Sequence, residues 1–134
     1  MYHKDINISL LKLLRRIKND SEKIFYGFCG FLGFLSLRYF SSGNVADLTY
    51  IGFFAFFSNF IIAKINGDKA DERYVQDEKA AMAFTGQLAI IELFILWCIT
   101  IVSRNIELMC VLLSITYAIT LNVYAIKLYI LEEK

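Results

Sequence analysis

Four apolar runs, each close to the length a helix needs to cross a bilayer, constrain this chain more than any other feature. They are Ile24 to Phe40, Val45 to Ile65, Ala80 to Val102 and Ile106 to Leu131. A transmembrane helix uses about 20 apolar residues to traverse roughly 30 Å of hydrocarbon. The runs contain few charges: Arg38 in the first, Asp47 and Lys64 near the ends of the second, Glu92 in the third, and Glu107 and Lys127 near the ends of the fourth. A soluble four-helix bundle would show polar residues every three or four positions, whereas Ile51 to Ile62 places apolar residues on every side of a helix. An apolar share of 57% over 134 residues, without one proline, exceeds the about 45–50% of soluble domains and excludes disordered or collagen-like chains. The expected fold is all-α: residues 1–23 form an N-terminal amphipathic interfacial helix, and 24–134 an integral membrane four-helix bundle.

Basic residues set the expected orientation. Lys4, Lys12, Arg15, Arg16, Lys18 and Lys23 precede the first run, Lys64, Lys69, Arg73 and Lys79 flank or fill the middle segment, and Lys127 and Lys134 lie near the C-terminus. Only Arg38 and Arg104 fall on the other side. The positive-inside bias therefore places both termini and the middle loop in the cytoplasm, across the cell (inner) membrane. No small-x-small cleavage pattern follows the first run, which reads as a retained signal anchor. On the outside only Ser41 to Asn44 and Ser103 to Asn105 remain, too little for an extracellular binding domain.

The middle loop, Asn66 to Lys79, has room for a turn and a helix extension. Gly67 suits a helix-ending left-handed position, and Asp68 suits the N-cap of a new helix whose first turn carries Asp71 and Glu72. Arg73 stands one turn before Asp77, a favourable spacing for opposite charges. The third span is thus expected to project as a charged stalk beginning near Ala70, either as a solvated helix start or as a docking surface formed by Asp68, Asp71, Glu72 and Arg73. The acids miss the calcium-loop spacing, and no metal site is expected. Gly67-Asp68-Lys69-Ala70-Asp71-Glu72-Arg73, followed by Lys79-Ala80-Ala81 and Phe84, resembles the Gly-Asp-x-x-Asp-Glu-Arg signature of small four-span prokaryotic membrane proteins of an uncharacterised family. The resemblance implies the same four-span layout and, since such proteins are often encoded beside small helix-turn-helix regulators, a regulatory or stress-linked role.

In the N-terminal arm Ile6, Leu10, Leu13, Leu14 and Ile17 recur at helical spacing, while Lys12, Arg15, Arg16 and Lys18 occupy the remaining face. This is the pattern of a basic helix lying on an anionic leaflet, with Asn19-Asp20-Ser21 turning the chain into the first span. A basic arm tethered beside lipid favours lipid over nucleic acid, so no nucleic acid is expected. Docking of the arm on the Asp71/Glu72 stalk is the other use of its charge.

Within the bilayer Glu92 lies near mid-depth, about 18 Å from the cytoplasmic end at 1.5 Å per residue. A carboxylate facing lipid there costs several kcal/mol, so Glu92 is expected to face the bundle, to be protonated, or to be hydrogen-bonded. Thr116, Tyr117 and Thr120 in the fourth span, with Asn122 and Tyr124 deeper, and Ser58 and Asn59 in the second could complete a polar seam. That seam is either a functional site or a packing contact. Gly27, Gly30 and Gly33, continued by Ser36, make a groove for close approach of another helix, in the same chain or across a homo-oligomer. Cys29, Cys98 and Cys110 form no CxxC or metal pattern and are expected to be free thiols, the alternative being a Cys98–Cys110 disulfide at the outer ends of the third and fourth spans.

Enzyme chemistry lacks its parts. The single histidine, His3, is terminal, and no Gly-x-Ser-x-Gly or phosphate loop is present. No cofactor is expected. The reading is a non-enzymatic regulatory, sensory or accessory membrane protein acting through a cytoplasmic partner, as a homo-oligomer or within a larger membrane complex. The alternatives are a small proton- or cation-coupled transporter or channel oligomer using Glu92, and an immunity-type protein against membrane-active peptides.

Overall fold

The computed structural model describes residues 2–65 and 72–133, with the backbone alone at 2–9, 12, 15, 16 and 19. Among the described residues all regular structure is helical. A chain in hydrocarbon must satisfy its backbone donors and acceptors internally, which helices do. Four helices are long and apolar enough to cross a membrane: the first span Asp20–Ser42, the second Val45–Lys64, the third Glu72–Ser103 and the fourth Ile106–Glu132. They coincide with the four runs and extend the first, third and fourth of them at their ends.

Short turns make successive spans antiparallel. Gly43 ends the first span at φ +65°, the left-handed position that glycine adopts without steric cost. Asn44 then caps the second span, its side chain accepting from the Ala46 N–H at 3.0 Å. Arg104 takes the same left-handed role after the third span, at φ 48°, and Asn105 caps the fourth by accepting from the Leu108 N–H at 3.2 Å. The first of these turns is further closed by a polar clasp. Ser42 donates to the buried Asp47 carboxylate, and the Arg38 guanidinium stands 3.9 Å from the same group.

Neighbours in the bundle follow the order first, second, fourth, third. Among the described residues the first span packs on the second and the third packs on the fourth, so the second and fourth spans form the middle of the array. The outer faces of the first and third spans carry large exposed apolar residues such as Phe25, Leu32, Ile90, Phe94 and Trp97. In a bilayer that exposure is the ordinary state of a lipid-facing side chain.

The first two spans are not wound alike throughout. Cys29–Arg38 and Val45–Phe57 are 3₁₀ helix, with three residues per turn in place of 3.6. Side chains three apart then eclipse and line up as ladders. Gly27, Gly30, Gly33 and Ser36 form one buried ladder, and Phe54, Phe57 and Phe60 form the ladder that meets it. Gly27 faces Phe60, Gly30 faces Phe57 and Gly33 faces Phe54, each so closely that an added Cβ would fall 2.7, 2.4 and 2.6 Å from the ring. Beside each glycine Phe28, Phe31 and Phe34 meet the same three rings edge-on, with centroids 5.5, 5.3 and 5.3 Å apart. Within the chain these three glycines thus face the phenylalanine ladder of the second span.

The tighter winding also serves length. Seventeen residues from Ile24 to Phe40 reach about 26 Å as α-helix, short of the roughly 30 Å hydrocarbon layer. Winding ten of them at about 2.0 Å per residue adds about 5 Å and closes the gap.

The N-terminal arm departs from the expected turn. Helix Tyr2–Phe28 runs without interruption into the first span. Asn19, Asp20 and Ser21 are accommodated inside it because Ser21 donates to the Lys18 carbonyl at 2.8 Å and Lys23 pairs with Asp20 at 3.5 Å. Local side-chain bonds that could have started a turn are spent within the helix instead.

Candidate functional site

Two polar regions stand out against the apolar array. The first is at mid-bilayer, between the third and fourth spans. Thr120 Oγ1 lies 2.5 Å from Glu92 Oε2 and 2.8 Å from the Thr116 carbonyl, so the half-buried acid of the third span is tied to the fourth. Two residues on, Asn122 donates to the Phe54 carbonyl of the second span at 3.0 Å and to the Ala118 carbonyl at 2.8 Å. The fourth span therefore carries adjacent polar staples to both of its neighbours. Interhelical bonds of this kind in a bilayer contribute about 0.6 kcal/mol on average and up to about 1.7.

The remaining expected members of the seam do not join it. Thr116 donates to the Leu112 carbonyl of its own helix at 2.7 Å, and Asn59 donates to its own Phe56 carbonyl at 3.1 Å. Tyr117, half exposed, points elsewhere, into an open groove of about 430 Å³ between the second and fourth spans. Thr49, Gly52, Phe53, Phe56, Leu113 and Ser114 complete its lining, and Glu92 is absent from it. Thr49 and Ser114 spend their hydroxyls on the carbonyls of Ala46 and Cys110, so the groove is apolar in effect. Of the residues that the sequence reading grouped around Glu92, the structure bonds one side chain to the acid, that of Thr120. Asn122, grouped with the same seam, instead ties the fourth span to the second.

The second region is at the end of the bundle that carries the termini. Here the extension of the third span lies against the end of the fourth, around a small buried core of Ile65, Tyr74, Ala81 and Leu128, with Tyr124, Tyr129 and Leu131 packed against it. Tyr74 is 6% exposed and Leu128 1%. Acidic groups ring this core. Tyr124 donates to Glu78, Tyr129 donates to Glu133, and Arg73 reaches Asp77 at 3.9 Å, the one-turn pairing that the sequence spacing predicts. One carboxylate oxygen of Asp77 and one of Glu132 are buried with no hydrogen-bond partner among the described residues. Deeper on the same seam the Lys127 ammonium sits 5.0 Å from the centre of the Phe84 ring, a cation–π contact between the third and fourth spans.

Of the expected docking motif, Glu72 and Arg73 open the third-span helix and are exposed, while Asp68 and Asp71 lie outside the described residues. Lys18 of the arm is exposed, and Lys12, Arg15 and Arg16 are placed along its helix by backbone alone. Among the described residues no three His, Cys, Asp or Glu side chains are grouped as a metal site, and the three cysteines are unpaired. Tyr74 was missed as a site residue because an aromatic near a span end reads equally as an interfacial anchor, and Tyr124, expected in the mid-bilayer seam, packs against this core instead.

No curated protein and no solved structure matches the chain. A family model described as predicted membrane protein (DUF2178) matches residues 21–134. The matched stretch holds all four spans and both polar regions but begins after most of the basic arm. This chain belongs to that family of membrane proteins.

Proposed function

We propose that the protein is a non-enzymatic regulatory or accessory component of the cell membrane, presenting the stalk at the start of its third span to a cytoplasmic protein partner. The observation that carries this reading is the buried core around Tyr74. An isolated two-turn extension of a span frays in water, because short helices are marginal on propensity alone. This one is held to the fourth span by a tyrosine only 6% exposed and by the Tyr124–Glu78 hydrogen bond, while Glu72 and Arg73 remain at its exposed face. A fixed scaffold under exposed charges is the arrangement that partner recognition uses, since preorganised side chains lose less entropy on binding.

The test is isolation of the tagged full chain from native membranes, with a photo-crosslinker at the exposed Gln76. A defined protein should crosslink to the wild type and be lost from the charge-swapped double variant Glu72→Lys, Arg73→Glu, while both proteins keep the same helical content in detergent. Crosslinks confined to copies of the chain itself, or an unchanged product from the swapped variant, would overturn the reading.

A further inference from the structure

We propose that the N-terminal arm binds anionic lipid headgroups, folding down at Asn19–Ser21 so that its apolar stripe lies in the leaflet on the side of the termini. Leu10, Leu13, Leu14 and Ile17 are 53, 57, 54 and 57% exposed, and Leu11 beside them is 62% exposed. By position on a helix, Ile6, Leu10, Leu13, Leu14 and Ile17 fall in a stripe about 100° wide, and Lys4, Lys12, Arg15, Arg16, Lys18 and Lys23 fall on the rest of the circumference. Among the described residues the first span and its arm touch the second span and no other. Four large aliphatic side chains on one stripe, all more than half exposed, need an apolar cover.

Charge decides what that cover is. Residues 1–23 hold six Lys or Arg against three acids, Asp5, Asp20 and Glu22. A second copy of the arm laid on the stripe would bring like-charged flanks together, Lys18 at one margin and Arg16 at the other. An anionic leaflet meets both requirements, with acyl chains for the stripe and phosphates for the flanks, and clusters of four to eight basic residues beside a span have this affinity.

In the structure the arm continues into the first span as one helix, Tyr2–Phe28, and the proposed bend falls on its weakest stretch. Asn19, Asp20 and Ser21 are three consecutive weak helix formers. The Ser21 hydroxyl already occupies the Lys18 carbonyl at 2.8 Å, a bond that would survive a break of the helix ladder there. A bend there would fall at the start of the first span, Asp20, and so at the depth of the headgroups. Trading a few backbone bonds at the bend for burial of four aliphatic side chains, all more than half exposed, favours the folded-down arm.

The test uses the full chain with Leu14→Trp as a reporter and Trp97→Phe to remove the native indole, reconstituted in phosphatidylcholine vesicles with and without phosphatidylglycerol. With the anionic lipid the reporter emission should shift to the blue and be quenched by brominated acyl chains, and raised salt should reverse both. Each of Lys12→Gln, Arg15→Gln and Lys18→Gln should lower the apparent affinity for the anionic lipid about fivefold. Identical emission in the two vesicle types would overturn the proposal. So would a blue shift that follows the protein-to-lipid ratio, since that marks pairing of arms. The salt titration needs no charge variant, so it reads the arm even where a substitution disturbs insertion.

Discussion

At the level of single residues, Glu92 and Thr120 show how an acid is kept in hydrocarbon. The 2.5 Å contact between Thr120 Oγ1 and Glu92 Oε2 joins the third and fourth spans at mid-bilayer, apart from the Lys127–Phe84 and Tyr124–Glu78 contacts nearer the end of the bundle. If the contact is what holds the acid, Glu92→Ala and Thr120→Val should each cost on the order of 1 kcal/mol, and the double variant little more than either alone. Glu92→Gln keeps an acceptor for the threonine and should cost less than Glu92→Ala. Reversible unfolding in mixed detergent reads all four proteins, and strictly additive losses would show that the two side chains act separately. The acid itself was legible in the sequence, because a charge in the middle of an apolar run is conspicuous. Its partner was not, because Thr116, Tyr117 and Thr120 lie within about one turn of each other and only the rotation of the fourth span selects among them.

At the level of elements, the 3₁₀ winding of the first two spans is tied to a period of three in the sequence. Gly27, Gly30, Gly33 and Ser36 repeat at three, as do Phe28, Phe31 and Phe34, and Phe54, Phe57 and Phe60. An α-helix would spread each series around its surface at about 60° per step, whereas a 3₁₀ helix stacks it into one ladder. The glycines were readable as a packing groove, but the periodicity was read as α-helical and the winding was missed. The consequence is strict. An alanine methyl at Gly30 would lie 2.4 Å from Phe57 Cδ1, and the ring cannot retreat because Phe54 and Phe60 stack on it at 5.7 and 6.0 Å. Gly30→Ala should therefore destabilise the protein by about 1–3 kcal/mol, the cost of overpacking. Gly86→Ala, with nothing within 4 Å of the added methyl, should be neutral or slightly stabilising through helix propensity. Adding Phe57→Leu to Gly30→Ala should return part of the loss, which thermal or detergent unfolding of the three proteins would reveal. Equal effects at Gly30 and Gly86 would contradict the ladder.

For the whole molecule, the antiparallel order of four spans puts the starts of the first and third spans and the ends of the second and fourth at one end of the bundle, and the basic residues of the sequence follow the same division. Span number and approximate limits were legible because hydrocarbon demands long apolar runs. The neighbour order was not, because lipid and protein are equally apolar surroundings and the sequence carries little signal for which face meets which. Which end faces the cytoplasm is then a matter of charge. Twelve Lys and Arg lie toward the termini and two, Arg38 and Arg104, toward the opposite turns. The positive-inside rule predicts that reporters fused to either terminus read as cytoplasmic, and that a cysteine placed at Asn44 in a background without Cys29, Cys98 and Cys110 is labelled from outside by an impermeant thiol reagent. Replacing Lys12, Arg15, Arg16 and Lys18 by Gln while adding Lys at Ser41 and Asn44 should invert a measurable fraction of the molecules, since the bias acts through short loops close to span ends. Arg38, already held toward Asp47 at 3.9 Å in the opposite turn, shows that a single cation is tolerated there when a buried acid faces it. The added lysines would have no such partner, so an unchanged labelling pattern would mean that packing of the second and fourth spans, and not charge, fixes the orientation.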